Sequence, residues 1–135
     1  MLRKIEHLGI AVKSISESLR SFETLLGTSC YKIEEVESEH VKTAFLQIGE
    51  SKIELLEATD PSSPIAKYLE KKGPGIHHIA FDVEDIEAEI QRLMNEGFEL
   101  IHQSAKDGAD NKLIAFLHPR STEGVLVELC QEKTL

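Results

Sequence analysis

The sequence is poor in three features that would each mark a particular class of protein. It has only two cysteines, Cys30 and Cys130, without C-x-x-C spacing, so two reduced, packed thiols are favoured over a disulfide bridge. No apolar run approaches the roughly 18 residues that a membrane span requires. Positive charge is also scarce, because 15 Lys and Arg residues stand against 24 Asp and Glu residues.

The acidic balance and the absence of long apolar runs restrict the partners and the location. The formal net charge is −9, whereas nucleic acid and anionic membranes attract clustered Lys and Arg. A small molecule or another protein is therefore the favoured partner. The segment MLRKIEHLGI lacks the apolar core of a signal peptide, and we expect a cytoplasmic protein.

The first half of the chain has the pattern of a strand, a helix and three further strands. Alternating apolar residues predict the first strand, and the segment after Ser14 combines a capping box with apolar residues at helical spacing that stop at Gly27. The four strands are predicted at residues 5–12, 31–36, 41–48 and 52–57.

The second half repeats this order after a segment rich in Pro and Gly, which we interpret as a linker with a short helix at residues 64–71. A second helix begins after Asp85 and ends at Gly97. The strands of this half are predicted at residues 77–83, 99–103, 113–117 and 125–130. Residues 1–135 are thus expected to form a single α+β domain of two βαβββ modules, at about 5–57 and 76–131, joined by the linker 58–75.

The two halves also share polar residues at equivalent places. His7 and His78 are 71 residues apart, and Glu54 and Glu128 are 74 apart. Such fixed offsets indicate an internal duplication, and duplicated halves of a small domain usually pair about a pseudo-twofold axis. We expect one curved mixed sheet with a cleft in which the four residues meet.

All four of these side chains are predicted to point away from the apolar face of their strands. A buried carboxylate needs charge compensation, and two imidazoles with two carboxylates would suit a divalent cation. The alternative is that His7 and His78 are core histidines while Glu54 and Glu128 lie on solvent-facing strand surfaces. Recurrence of both residue types in both halves favours the shared metal site.

At these residues the chain resembles the vicinal oxygen chelate superfamily, which includes glyoxalase I and the extradiol dioxygenases. The segments HLGIAV, SPIAKYLEKKGPGIHHIAFDV and FLHPRSTEGVLVEL are similar, more narrowly, to the methylmalonyl-CoA epimerase family, over residues 5–132. The resemblance implies a βαβββ-tandem fold around a metal cleft. It also implies one divalent metal ion (Co, Mn, Ni or Zn) held by His7, Glu54, His78 and Glu128, a CoA thioester substrate, and a homodimer.

The same resemblance implies that the 2R and 2S forms of methylmalonyl-CoA interconvert through an enolate. Glu128 is our candidate for one of the two proton carriers that inversion needs. Some relatives have a glutamate as the second carrier at the position of Thr43, and a threonine cannot act as that base. The sequence does not identify the second proton carrier or the residues that bind CoA.

Two other functions fit the same residues. A glyoxalase I-type lactoylglutathione lyase would use the same ligands on a glutathione hemithioacetal, and a metal-free ligand-binding module of the drug-resistance type would use the same fold. The lysines of the linker helix, Lys67, Lys71 and Lys72, either meet an anionic ligand or form an ordinary solvated face.

Overall fold

Capping residues and apolar periodicity set the bounds of the elements in this computed structural model, which describes residues 1–134. The chain divides into two units. The first unit is His7–His77, and the second consists of Met1–Glu6 and the residues from His78 onward. None of the helices formed by residues 1–134 has both the length and the apolar character needed to cross a membrane.

The first unit contains one βαβββ module followed by the linker helix. Strand β1 begins before the unit and continues into it, so its first five residues belong to the second unit. Strands β2, β3 and β4 pair antiparallel, and β1 pairs parallel to β4. The elements are β1 (Leu2–Ala11), α1 (Ile15–Leu26), β2 (Lys32–Val36), β3 (Val41–Ile48), β4 (Ser51–Ala58) and α2 (Pro64–Lys72).

The second unit repeats this arrangement, with β5 parallel to β8, β8 antiparallel to β7, and β7 antiparallel to a short β6. The elements are β5 (Gly75–Val83), α3 (Ile86–Asn95), β6 (Lys106–Asp107), β7 (Lys112–Leu117) and β8 (Val127–Glu132). The predicted α+β class and the two βαβββ modules are confirmed. The single domain over residues 1–135 stays a prediction.

Helices α1 and α3 are capped as the sequence indicates, and each forms a hydrogen bond to the last strand of its module. The Ser14 side chain accepts a hydrogen bond from the Glu17 amide, and α1 ends at Gly27 in the left-handed conformation. The first amide of α1, at Ile15, donates to Glu57 at 2.7 Å. In α3 the equivalent amide of Ile86 donates to Gln131, also at 2.7 Å.

Helix α1 in the first unit and helix α3 in the second unit each cover one face of the strands with apolar side chains. In the first unit the buried core consists of Val12, Ile15, Ala44, Leu46 and Leu55. In the second unit it consists of Val83, Ile86, Ile90, Leu93, Ala115, Leu117 and Leu129. The opposite face of each set of strands is left for polar residues, because successive strand residues point to opposite sides.

One predicted strand, at residues 99–103, is wrong. Only Leu100 forms a β-bridge, with Leu117, and the strand that pairs with the start of β7 is Lys106–Asp107. Glu99 is drawn instead to the turn after β7, where its carboxylate accepts from Arg120 at 2.7 Å. The backbone amide of Ile101 donates to the Phe116 carbonyl and that of His118 donates to the Glu99 carbonyl, each at 2.8 Å, so the pairing with β7 is limited to a single bridge at Leu100.

Candidate active site

The first unit brings together His7 and Glu54, two of the predicted site residues. In the parallel pairing of β1 with β4, Gly9 lies opposite Glu54, so His7 and Glu54 project from the same face. His7 Nδ1 lies 3.1 Å from Glu54 Oε2. Both residues are only 5% exposed, although each carries a polar side chain. Burial of Glu54 is inconsistent with the alternative that placed this carboxylate on a solvent-facing strand surface.

The second unit brings together His78 and Glu128 in the same way. Ala80 lies opposite Glu128 in the parallel pairing of β5 with β8, which repeats the register of the first unit. His78 Nε2 lies 3.1 Å from Glu128 Oε1, and both residues are 6% exposed. The duplication seen in the sequence is therefore a duplication of a buried imidazole–carboxylate pair.

An aromatic residue accompanies each carboxylate at the equivalent place. Phe45 of β3 lies directly opposite Glu54, and Phe116 of β7 lies directly opposite Glu128. The ring of Phe116 is edge-to-face with His78, with 5.8 Å between the ring centroids. These rings cover the pairs with apolar surface, which lowers the local polarity and strengthens the electrostatic interactions of the charged groups.

Lys52 is a site residue that the sequence reasoning missed. Its ammonium group lies 3.9 Å from Glu54 Oε2 and 5.6 Å from the centroid of the Phe45 ring, and the residue is 5% exposed. A buried lysine needs such compensation. The signal was present in the sequence, because Lys52 stands two residues before Glu54 on a strand and so shares its face.

Cys130 lies two residues after Glu128 on β8 and is fully buried. Burial raises the pKa of the Cys130 thiol, and the nearby carboxylates of Glu128 and Glu6 raise it further. The thiol is therefore neutral at physiological pH and is not a nucleophile. Both cysteines are free, as the sequence predicts.

Thr43, where the resemblance implies a glutamate in some relatives, is buried at 2% exposure on β3. It lies opposite Leu56 on one side and Glu34 on the other. Glu34 in turn has Lys32 Nζ 3.5 Å from its carboxylate. Thr43 is too weak a base to remove a carbon-bound proton, so this position supplies no proton carrier.

Each buried pair can supply one nitrogen and one oxygen ligand to a divalent metal ion. Imidazole and carboxylate are the donors preferred by Co²⁺, Mn²⁺, Ni²⁺ and Zn²⁺ in proteins. A cation would also compensate the buried charge of Glu54 and Glu128, which is costly without a partner. The donor chemistry of both pairs therefore fits metal binding.

Residues 6–116 match the family described as the glyoxalase/bleomycin resistance protein/dioxygenase superfamily. This match covers most of the chain, and the chain therefore belongs to that superfamily and has its α+β fold. Two similar proteins indicate to which family within this superfamily the chain belongs. The protein YqjC of Bacillus subtilis is 42% identical over 98% of this chain and 94% of its own length. The mitochondrial methylmalonyl-CoA epimerase of Dictyostelium discoideum is 38% identical over 93% of this chain and 76% of its own length.

A solved structure also indicates the methylmalonyl-CoA epimerase family. A variant of the Streptomyces coelicolor methylmalonyl-CoA epimerase, in complex with 2-nitronate-propionyl-CoA, superimposes with a TM-score of 0.95 at 31% identity. The match covers 100% of this chain and 98% of that one. Within the superfamily, the chain belongs to the methylmalonyl-CoA epimerase family.

Proposed function

We infer that this protein is an enzyme that interconverts the 2R and 2S forms of methylmalonyl-CoA. The observation that carries the inference is the buried imidazole–carboxylate pair, present twice in a chain of which 93% matches a methylmalonyl-CoA epimerase. Substrate binding is supported by the Streptomyces relative, which was solved with a CoA thioester analogue.

We propose that His7, Glu54, His78 and Glu128 together hold one divalent metal ion. Two neutral imidazoles and two carboxylates would neutralise its charge and leave other positions for the substrate. When bound, the ion supplies a Lewis acid that favours negative charge on the thioester oxygen. Co²⁺, Mn²⁺, Ni²⁺ and Zn²⁺ all suit this donor set, and their identification requires elemental analysis of the purified protein.

The chemical task of the protein side chains is to move the proton at C2. This carbon lies between a thioester and a carboxylate, and loss of its proton gives a planar enolate. Epimerisation requires removal of the proton on one face and delivery on the other. We propose that Glu128 carries the proton on one face, because a carboxylate is a suitable base and Glu128 is buried beside an aromatic ring.

The second proton carrier is a separate question, since Thr43 cannot fill that role. Lys52 has a different task in the proposed site. Its ammonium group lies 3.9 Å from Glu54 Oε2, so it offsets part of the buried negative charge of this carboxylate.

The deciding experiment is ¹H NMR of methylmalonyl-CoA in D₂O with the metal-loaded enzyme. We expect the C2 hydrogen to exchange with deuterium, and the methyl doublet to collapse as it does so. Treatment with a chelator should stop the exchange, and added metal should restore it. A parallel assay with the glutathione hemithioacetal of methylglyoxal serves as the control for glyoxalase I activity. Turnover of the hemithioacetal without C2 exchange would overturn the proposed function.

A further inference from the structure

A groove of about 410 Å³ lies beside α2 in the first unit, and its lining combines lysines with aromatic rings. We call it the α2 groove and define it by Lys67, Tyr68, Lys71, Lys72 and His77. These residues lie outside the proposed metal ligands. The groove reaches the start of β5, the strand that also carries His78.

The charge of the α2 groove is opposite to that of the protein. Three lysines line it against one acidic residue, Glu70, while the whole chain has a net charge of −9. Lys67 and Lys71 are exposed and form no ion pair with any carboxylate among residues 1–134. A local group of uncompensated ammonium groups on an acidic protein favours a negatively charged ligand.

The aromatic part of the groove is held in a defined position. The Tyr68 hydroxyl donates to the Ile76 carbonyl at 2.7 Å, and the His77 ring lies edge-on to the Tyr68 ring with centroids 5.1 Å apart. Lys72 Nζ lies 5.8 Å from the centroid of the Tyr68 ring. An ordered surface of this kind loses little conformational entropy when a ligand binds.

Lysines beside aromatic rings match a ligand that has both phosphates and a planar base. Lysine ammonium groups bind phosphate as point charges, and aromatic side chains stack on nucleobases. The CoA thioester has these groups at one end, as a 3′-phosphorylated adenosine diphosphate. We propose that the α2 groove binds this nucleotide end of the substrate. The proposal rests on the proposed function for the identity of the ligand.

The test compares two double variants that each remove two exposed lysines. The Lys67→Ala/Lys71→Ala variant alters the groove. The control, Lys4→Ala/Lys13→Ala, removes two exposed lysines that form no ion pair among the described residues. Calorimetric titration with CoA, and kinetics with methylmalonyl-CoA, are measured for the wild type and both variants.

For the groove variant we expect the Kd for CoA and the KM for methylmalonyl-CoA each to rise about tenfold, because two charged contacts to phosphate are lost. The kcat should stay within about twofold of the wild type, since the reacting end is unaffected. The variant Lys67→Arg/Lys71→Arg should restore binding. Methylmalonyl-pantetheine, which lacks the nucleotide, should be turned over equally by the wild type and the groove variant.

Equal Kd values for CoA in the groove variant and the control would overturn the assignment and show that these lysines are an ordinary solvated face. In that case the wild type would still exchange the C2 hydrogen, and the proposed function would stand. The opposite result can be distinguished as well. If the groove substitutions weaken CoA binding but the wild type does not exchange the C2 hydrogen, the epimerase function is overturned and the groove is still a CoA-binding site.

Discussion

His7 and His78 each face a buried carboxylate at 3.1 Å, and this is the residue-scale arrangement on which the proposed chemistry depends. A buried histidine next to a carboxylate is stable as a hydrogen-bonded pair, and it is also a preformed half of a metal site. Variants that remove one partner separate these two roles, because only a ligand affects metal content.

The His7→Ala and His78→Ala variants should each purify with little bound metal while staying folded. Loss of one of four proposed ligands weakens the site, and both residues lie outside the two main apolar cores. Elemental analysis after dialysis measures the metal content, and circular dichroism checks the fold. His40→Asn is the control, since His40 is exposed and already has a left-handed backbone that Asn tolerates. Full metal content in either Ala variant would remove that residue from the ligand set.

The Glu128→Gln variant should keep most of its metal but lose at least about 100-fold in the rate of C2 hydrogen exchange, the typical contribution of a general acid–base group. The amide retains an oxygen that can bind a metal, yet it cannot carry the proton. NMR in D₂O measures the exchange rate, and Glu132→Gln on the same strand serves as the matched control. An unchanged exchange rate would exclude Glu128 as a proton carrier.

At the scale of elements, the two modules use the same type of hydrogen bond to attach a helix to its strands. The first amide of each helix donates to a side chain on the last strand of its module, from Ile15 to Glu57 and from Ile86 to Gln131. Helix α3 has an additional buried carboxylate, Glu89, which makes its attachment sensitive to acid.

Glu89 is 3% exposed on α3 and binds both Arg92 and the N-terminal ammonium group of Met1. Burial raises the pKa of Glu89, but the hydrogen bonds and charges of these two cations outweigh burial and leave the pKa below its usual value. A lowered folded-state pKa stabilises the protein above the unfolded pKa of 4.5, and this stabilisation is lost as the pH falls through the folded pKa.

The Glu89→Gln variant should therefore lower the free energy of unfolding by about 2 kcal/mol at pH 7, where the paired carboxylate is ionised. The difference from the wild type should shrink below pH 4.5 and vanish once the wild-type carboxylate is protonated. Urea denaturation at several pH values measures this, with the exposed Glu96→Gln as the control. A difference that is independent of pH would show that packing, not charge, accounts for the effect.

At the scale of the whole molecule, the exposed apolar residues at the edge strand β2 bear on assembly. Ile33 on β2 is 50% exposed, and Tyr31, which immediately precedes the strand, is 51% exposed. Edge strands with exposed apolar groups tend to associate. We predict a homodimer, with a mass of twice 15.1 kDa in analytical ultracentrifugation. A single species of 15.1 kDa at micromolar concentration would contradict this prediction.

Much of the architecture follows from local sequence patterns. The Ser14 cap, the stop at Gly27 and the Asp85 cap are predicted from residues a few positions apart, and the structure confirms each of them. The wrong strand at residues 99–103 shows the limit of this reasoning. Its alternation is suitable for a strand, but its pairing with the distant β7 consists of one bridge, from Leu100 to Leu117, and local alternation does not specify how many residues pair.

The sequence by itself determined the duplication, and with it which residue types recur on equivalent faces of the strands, because alternation along a strand is a local property. Only the tertiary structure decided that each histidine meets its carboxylate and that Lys52 is buried beside Glu54. It also decided that His77 packs on Tyr68 in the α2 groove. The physical reason is that distances between strands depend on register and packing, which contacts distant in sequence establish.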